Sequence, residues 1–231
     1  MVDEAEQDIY FKQAKLFNPH QNEHMKVFVY GAGSIGSHVV MGLAKIGISN
    51  ITVYDFDSVE AANIPAQFYG PDASGLKVYE LAKLTKQLTG VDITPMNGKI
   101  DEGFQPDITY NTIHILAFDN IEARRIVFEK LKDYPVHLLD GRIGGFNWEK
   151  HYCRCDNQHD WKQYSKSLDG TFAELECGEK CLWPVNSMIA SKIVADVVKL
   201  SKATATNVLL YEEEPARLSI GHMLGDTIIG K

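Results

Sequence analysis

The stretch Gly31-Ala32-Gly33-Ser34-Ile35-Gly36 constrains this chain more than any other. It follows the apolar run Val27–Tyr30 and opens an amphipathic segment from Ser37 to Lys45. Gly-x-Gly-x-x-Gly in that setting is a strand-to-helix turn. Gly31 permits the tight turn, Gly33 lets backbone approach a phosphate, and Gly36 lets the helix pack close to the strand. The helix start offers N–H groups with no carbonyl behind them and the positive end of its dipole. Residues 31–36, with Ser34 and Ile35 between the glycines, are therefore expected to cradle a nucleotide. The motif does not say which nucleotide, or for what.

The rest of the chain continues the alternation. Strands are expected at Lys26–Tyr30, Ile51–Tyr54, Ile93–Met96, Thr112–Phe118 and Val136–Leu139, and helices at Ser37–Ile46, Gly75–Leu88 and Ile121–Leu131. Apolar strands alternating with helices predict a doubly wound, mostly parallel sheet. From Gly145 to Cys155 the pattern changes to the period of two of an antiparallel strand. Asn157–Lys180 shows little period and reads as a long loop, crossing over at about residues 156–183. Pro184–Ser201 reads as a helix, and Asn207–Tyr211 and Leu218–His222 as closing strands. Residues 1–24 form an arm with apolar Ile9, Phe11, Leu16 and Phe17. With neither repeat nor low-complexity linker, residues 1–231 are expected to make one α/β domain with an antiparallel C-terminal extension.

At 231 residues and 45% hydrophobic the chain can bury a substantial core. Its formal net charge of −8 argues against a nucleic-acid partner. No apolar run is long enough to span a membrane. Met1–Gln7 is acidic and polar, unlike a signal peptide, so a cytoplasmic location is expected. The four cysteines, Cys153, Cys155, Cys177 and Cys181, are then a metal site or reactive thiols before they are disulfides. The histidines show no metal spacing; His38 and His114 read as packed core residues. Trp148, Trp161 and Trp183 flank the long loop and read first as core.

Ligands of such sheets lie beyond the carboxyl ends of the strands. Acidic residues stand there: Asp55 and Asp57, Asp119 beside Asn120, and Asp140. Asp55 follows the glycines at the distance of a ribose-binding carboxylate, and Asp119 is a candidate Mg²⁺ ligand. The segment Asp55-Phe56-Asp57-Ser58-Val59-Glu60-Ala61-Ala62-Asn63-Ile64-Pro65-Ala66-Gln67 resembles the Asp-x-Asp-x-Val-x-x-x-Asn-x-x-Arg-Gln segment of the ThiF/MoeB/HesA family. Other pieces agree in order: the arm Tyr10–Phe17, Lys77, Asp119-Asn120, Asp140–Phe146, and the Cys177 loop with its following helix. The resemblance implies a Rossmann-like fold and an adenylyltransferase that uses ATP and Mg²⁺. Its implied substrate is the C-terminal carboxylate of a small β-grasp carrier, a ubiquitin-like or sulfur-carrier protein.

The chemistry suits the residues. An acyl adenylate forms when a carboxylate attacks the α-phosphorus and pyrophosphate leaves, so positioning and charge neutralisation do the catalysis. Lys77 and the arm's Lys12 are cations for that purpose. Asn63 and Gln67 can hydrogen-bond phosphates, and Mg²⁺ on Asp119 would offset the leaving charge. By the resemblance the protein is a homodimer whose arm reaches the other subunit's ATP, and Cys177 is a candidate acyl-capturing thiol. The four cysteines are alternatively a Zn²⁺ site, though Cys153-x-Cys155 and Cys177-x-x-x-Cys181 are not the family's Cys-x-x-Cys pairs. Ala66 replaces the family's phosphate arginine, and Arg124, Arg125 and Arg142 are candidates to compensate. That departure keeps a second reading open, a non-catalytic partner subunit of a homologous chain. A nicotinamide-dependent oxidoreductase is a third, disfavoured because no hydride-transfer acid–base pair follows the glycines.

Overall fold

β1 (Val27–Tyr30) is buried at every residue, as a central parallel strand must be. β2 (Ile51–Asp55) and β4 (Ile113–Leu116) flank it, both parallel. β3 (Thr94–Asn97) adds in parallel to β2, and β5 (His137–Gly144) to β4. From β5 the sheet continues antiparallel through β6 (Asn147–Arg154), β7 (Leu218–His222) and β8 (Thr227–Gly230). The computed structural model describes residues 8–169, 182–202, 215–223, 225 and 227–230. The sheet order is β3-β2-β1-β4-β5-β6-β7-β8, the α/β arrangement expected, with a doubly wound parallel half and an antiparallel C-terminal half.

Alternate strand residues serve opposite faces. Val27, Val29, Ile113 and Ile115 pack with α1 (Gly36–Lys45), α2 (Lys77–Thr89) and α5 (Trp183–Lys202). Phe28, Tyr30, Leu116 and Leu138 pack with α3 (Ile121–Leu131) and α4 (Gln158–Ser167). α4 and α5 lie on opposite faces of the sheet.

The structure corrects several expectations. Gln158–Ser167 is a helix, not loop. Asn157 caps it, its side chain accepting from the His159 and Asp160 amides, and only Asp160 and Tyr164 of the helix are buried. A helix that buries so little leaves no apolar stripe to read. The helix expected from Gly75 starts at Lys77, since Gly75 sits at φ +112°. β5 runs on through Gly144 because its second half pairs with β6. β8 adds a strand beyond those expected, and the strand expected at Asn207–Tyr211 lies outside the described residues. The arm is built of two short 3₁₀ turns, Phe11–Gln13 and Pro19–Asn22.

Candidate nucleotide site

β2 and β4 lie on opposite sides of β1, while α1 follows β1 on one face and α3 follows β4 on the other. That reversal opens a crevice at the carboxyl ends of β1 and β4. Its walls touch: Gly31 holds φ +105°, and a Cβ there would lie 2.8 Å from the Ala117 carbonyl oxygen. A Cβ on Gly36 would lie 1.8 Å from the Gly31 carbonyl oxygen. Both glycines are required by the protein's own backbone. Gly33 differs. A Cβ there would meet only Gln67 Nε2, at 3.9 Å.

The segment after β2 folds over this turn. Asp55 Oδ2 accepts from the Ala32 amide at 2.7 Å and Oδ1 from the Asp57 amide at 2.8 Å. Asp57 in turn pairs with Lys77 Nζ at 2.9 Å, where the lysine is nearly buried and the aspartate half exposed. Ser37 Oγ, in the first turn of α1, accepts from the Phe68 amide. Gln67 is buried beside Gly33, and its Oε1 has no partner. Asn63 ends a short 3₁₀ turn, half-buried.

Two residues of this layer escape the sequence reading. The Tyr69 hydroxyl donates to the Ala32 carbonyl at 2.7 Å and approaches the Lys77 carbonyl at 3.3 Å, tying the glycine turn to the start of α2. Burial raises its pKa far above the ordinary range, so it remains a donor. Asn186 of α5, fully buried, donates to the Ala66 carbonyl at 2.7 Å. No spacing marks Tyr69 or Asn186, since each acts through a main-chain carbonyl on a different element.

On the β4 side, Asn120 and Asp119 separate in role. Asn120 caps α3, its Oδ1 accepting from the Glu122 and Ala123 amides. That leaves the exposed Asp119 carboxylate at the crevice. Behind it, the fully buried Asp140 is ion-paired with Arg124 through Oδ1 and with Arg142 through Oδ2. Burial lowers the Arg124 pKa to about 10, so it stays charged at neutral pH. Arg125 lies further out, on Asp169 and the Leu168 carbonyl. Arg124 and Arg142 thus serve Asp140 rather than stand in for the arginine missing at Ala66.

Other expected site residues are not brought together. The arm packs across the far end of α1: Gln13 Nε2 donates to the Ile46 carbonyl at 2.7 Å, and Phe17 is buried. Ile46 lies ten residues beyond Gly36, about 15 Å along a helix. Lys12 is exposed there and does not reach its own chain's glycine turn. Cys153 and Cys155 are fully buried in the apolar cluster with Phe28, Tyr30 and Phe128. The neighbouring Cys153 and burial push the Cys155 thiol up, away from the thiolate a metal needs. Cys177 and Cys181 lie outside the described residues. Among the described residues no group of three metal-binding side chains converges.

His38 and His114 are core residues, as expected. His38 packs against Phe68 and Trp183, with Nδ1 donating to the Ser34 carbonyl at 2.8 Å, and His114 stacks on Phe28. Trp148 is fully buried, whereas Trp183 is 40% exposed and therefore available at the rim near α1.

A glycine turn with a carboxylate on its Ala32 amide, at the carboxyl end of a parallel sheet, defines an α/β protein with the nucleotide-binding type of fold. The ThiF family matches residues 18–215, and the chain belongs to that family. It is 33% identical over 147 residues to the NEDD8-activating enzyme E1 catalytic subunit of Dictyostelium discoideum, covering 57% of this chain and 33% of that protein. It is 41% identical over 122 residues to ubiquitin-like modifier-activating enzyme 5 of Caenorhabditis elegans, covering 52% of this chain and 26% of that protein. The chain thus spans about a third or less of the length of the curated relatives it matches. Among solved structures, Escherichia coli MccB with AMPCPP and MccA superposes with TM-score 0.72 at 16% identity, over 99% of this chain and 73% of that one. Escherichia coli tRNA N6-threonylcarbamoyladenosine dehydratase, TcdA, with AMP gives 0.69 at 17%, over 90% and 99%. These likenesses confirm the fold.

Proposed function

We propose that this chain binds Mg·ATP in the crevice between β1 and β4 and adenylates the C-terminal carboxylate of a small ubiquitin-like or sulfur-carrier protein. The observation that supports the reading is Gly33, open beside the unpartnered Gln67 oxygen, in a ThiF chain whose Asp55 carboxylate holds the Ala32 amide. The residues fit the cofactor. Gly33 is open where the other two glycines are closed, and the unpartnered Gln67 oxygen lies beside it. Backbone amides of residues 33–36 would bind the phosphates, Asp55 would accept from a ribose hydroxyl, and Asn63 and Gln67 would hydrogen-bond phosphate oxygens. Lys77 would neutralise phosphate charge, and Asp119 would hold Mg²⁺. Asp55, Asp57 and Asp119 outnumber Lys77 there, so a triphosphate favours entry with a divalent cation, which also offsets charge on the leaving pyrophosphate. A homodimer completes the site, with Lys12 supplied by the partner copy's arm.

A second reading has its own observation. Ala66 is buried with its carbonyl fixed by Asn186, so the cation the family places there is absent. A non-catalytic subunit that binds nucleotide and supports a homologous chain fits that feature. ATP–pyrophosphate exchange with candidate carriers separates the two. Exchange that requires a carrier with a free C-terminal carboxylate supports adenylation. Tight ATP binding without exchange on any carrier supports the second reading, and preferential NADH binding overturns both.

A further inference from the structure

We infer that Tyr164 and Arg142 are positioning residues for the Asp119 turn, acting through Asp140 and Arg124. The inference rests on the reading of Asp119 as the Mg²⁺ ligand of bound ATP. Asp119 is exposed, so its carboxylate is aimed by its backbone and not by packing. That backbone has an anchor on each side. Asn120 caps α3 on one side. On the other, Arg124 Nη2 donates to the Phe118 carbonyl, the residue directly before Asp119, and to the Gly141 carbonyl.

Arg124 is itself held by Asp140, and Asp140 is held from α4. The Tyr164 hydroxyl donates to Asp140 Oδ2 at 2.9 Å. Arg142 reaches the same oxygen with Nε at 2.8 Å and Nη2 at 2.7 Å. Arg142 also donates to the Ser167 carbonyl and hydroxyl, at 3.1 and 3.0 Å, which fixes the end of α4. Two guanidinium groups and a phenol thus surround one buried carboxylate. In such a buried charged cluster, removing a member leaves a buried charge short of partners. Burial raises the Tyr164 pKa to about 12, so the hydroxyl remains a donor through the neutral range. α4 therefore does more than cover the sheet. It sets the orientation of a turn on a different helix.

The test is ATP binding by calorimetry, in EDTA and across a MgCl₂ titration. Tyr164→Phe keeps the ring against Phe128, 5.0 Å between centroids, and deletes only the donor. It should raise the Mg²⁺ concentration that half-saturates the Mg²⁺-dependent gain in affinity by roughly threefold to tenfold, below the range for direct partners of metal ligands. Affinity in EDTA should not change. Arg142→Lys should act in the same direction and serves if Tyr164→Phe does not fold. In an Asp119→Asn background, Tyr164→Phe should add nothing. A folded Tyr164→Phe with normal Mg²⁺ dependence, or with equal losses in EDTA and Mg²⁺, overturns the inference. If Asp119→Asn itself leaves the Mg²⁺ dependence unchanged, the reading of Asp119 falls instead.

Discussion

Gly36 and Gly33 share a motif but answer to different neighbours. Gly36 is closed by the Gly31 carbonyl, whereas Gly33 faces open space and one glutamine amide. The same distinction between structural and available groups runs through the histidines. Burial lowers His38 and His137 from 6.5 to about 4, and His114 to about 3. The unfolded chain takes up protons near 6.5 that the folded chain refuses until pH 3–4. Folding stability contributed by these groups is therefore intact above pH 6.5 and falls as pH drops through that window. Between pH 6.5 and 5 each should remove roughly 1–2 kcal/mol. Urea midpoints should drop steeply from pH 7 to pH 5, and His114→Gln should flatten the slope by about one proton. A midpoint level across that range would contradict the burial of neutral imidazoles.

At the scale of elements, α4 shows what a sequence can hide. Its neighbour α3 is legible because four of its residues are buried and Asn120 stands before it as a cap. α4 has the same kind of cap in Asn157, with Asp160 three residues on, but buries only Asp160 and Tyr164. Period reading fails on such a helix, and the capping pair was the available signal. Asn157→Ala should lower stability by about 1 kcal/mol. Denaturant unfolding checks this, and an unchanged midpoint would mean α4 draws its stability from the Asp140 network alone. The central strands β1 and β4 are legible for the opposite reason, being buried on both faces. The candidate site was half legible. Its glycines and carboxylates sit at strand ends, where topology forces them together. Tyr69 and Asn186 reach the site only through carbonyls of distant residues, which no spacing records.

On the scale of the whole molecule, the distance between Lys12 and the glycine turn matters most. Gln13 and Phe17 dock the arm at the far end of α1, so one copy of the chain does not bring Lys12 to its own crevice. Lys77, the lysine at the start of α2, is paired with Asp57. If the partner copy's arm supplies the second cation, Lys12 and Lys77 of each site come from different chains. Lys12→Ala and Lys77→Ala should then each be inactive alone in pyrophosphate exchange. Mixed in equal amounts and allowed to exchange subunits, half the dimers are mixed and each carries one intact site, so roughly a quarter of wild-type activity should return. Activity that stays at zero on mixing, with subunit exchange verified by light scattering and tagged pull-down, would overturn the supply of Lys12 by the partner copy. Full activity of Lys12→Ala alone would place Lys12 outside the reaction and leave charge neutralisation to Lys77 and Mg²⁺.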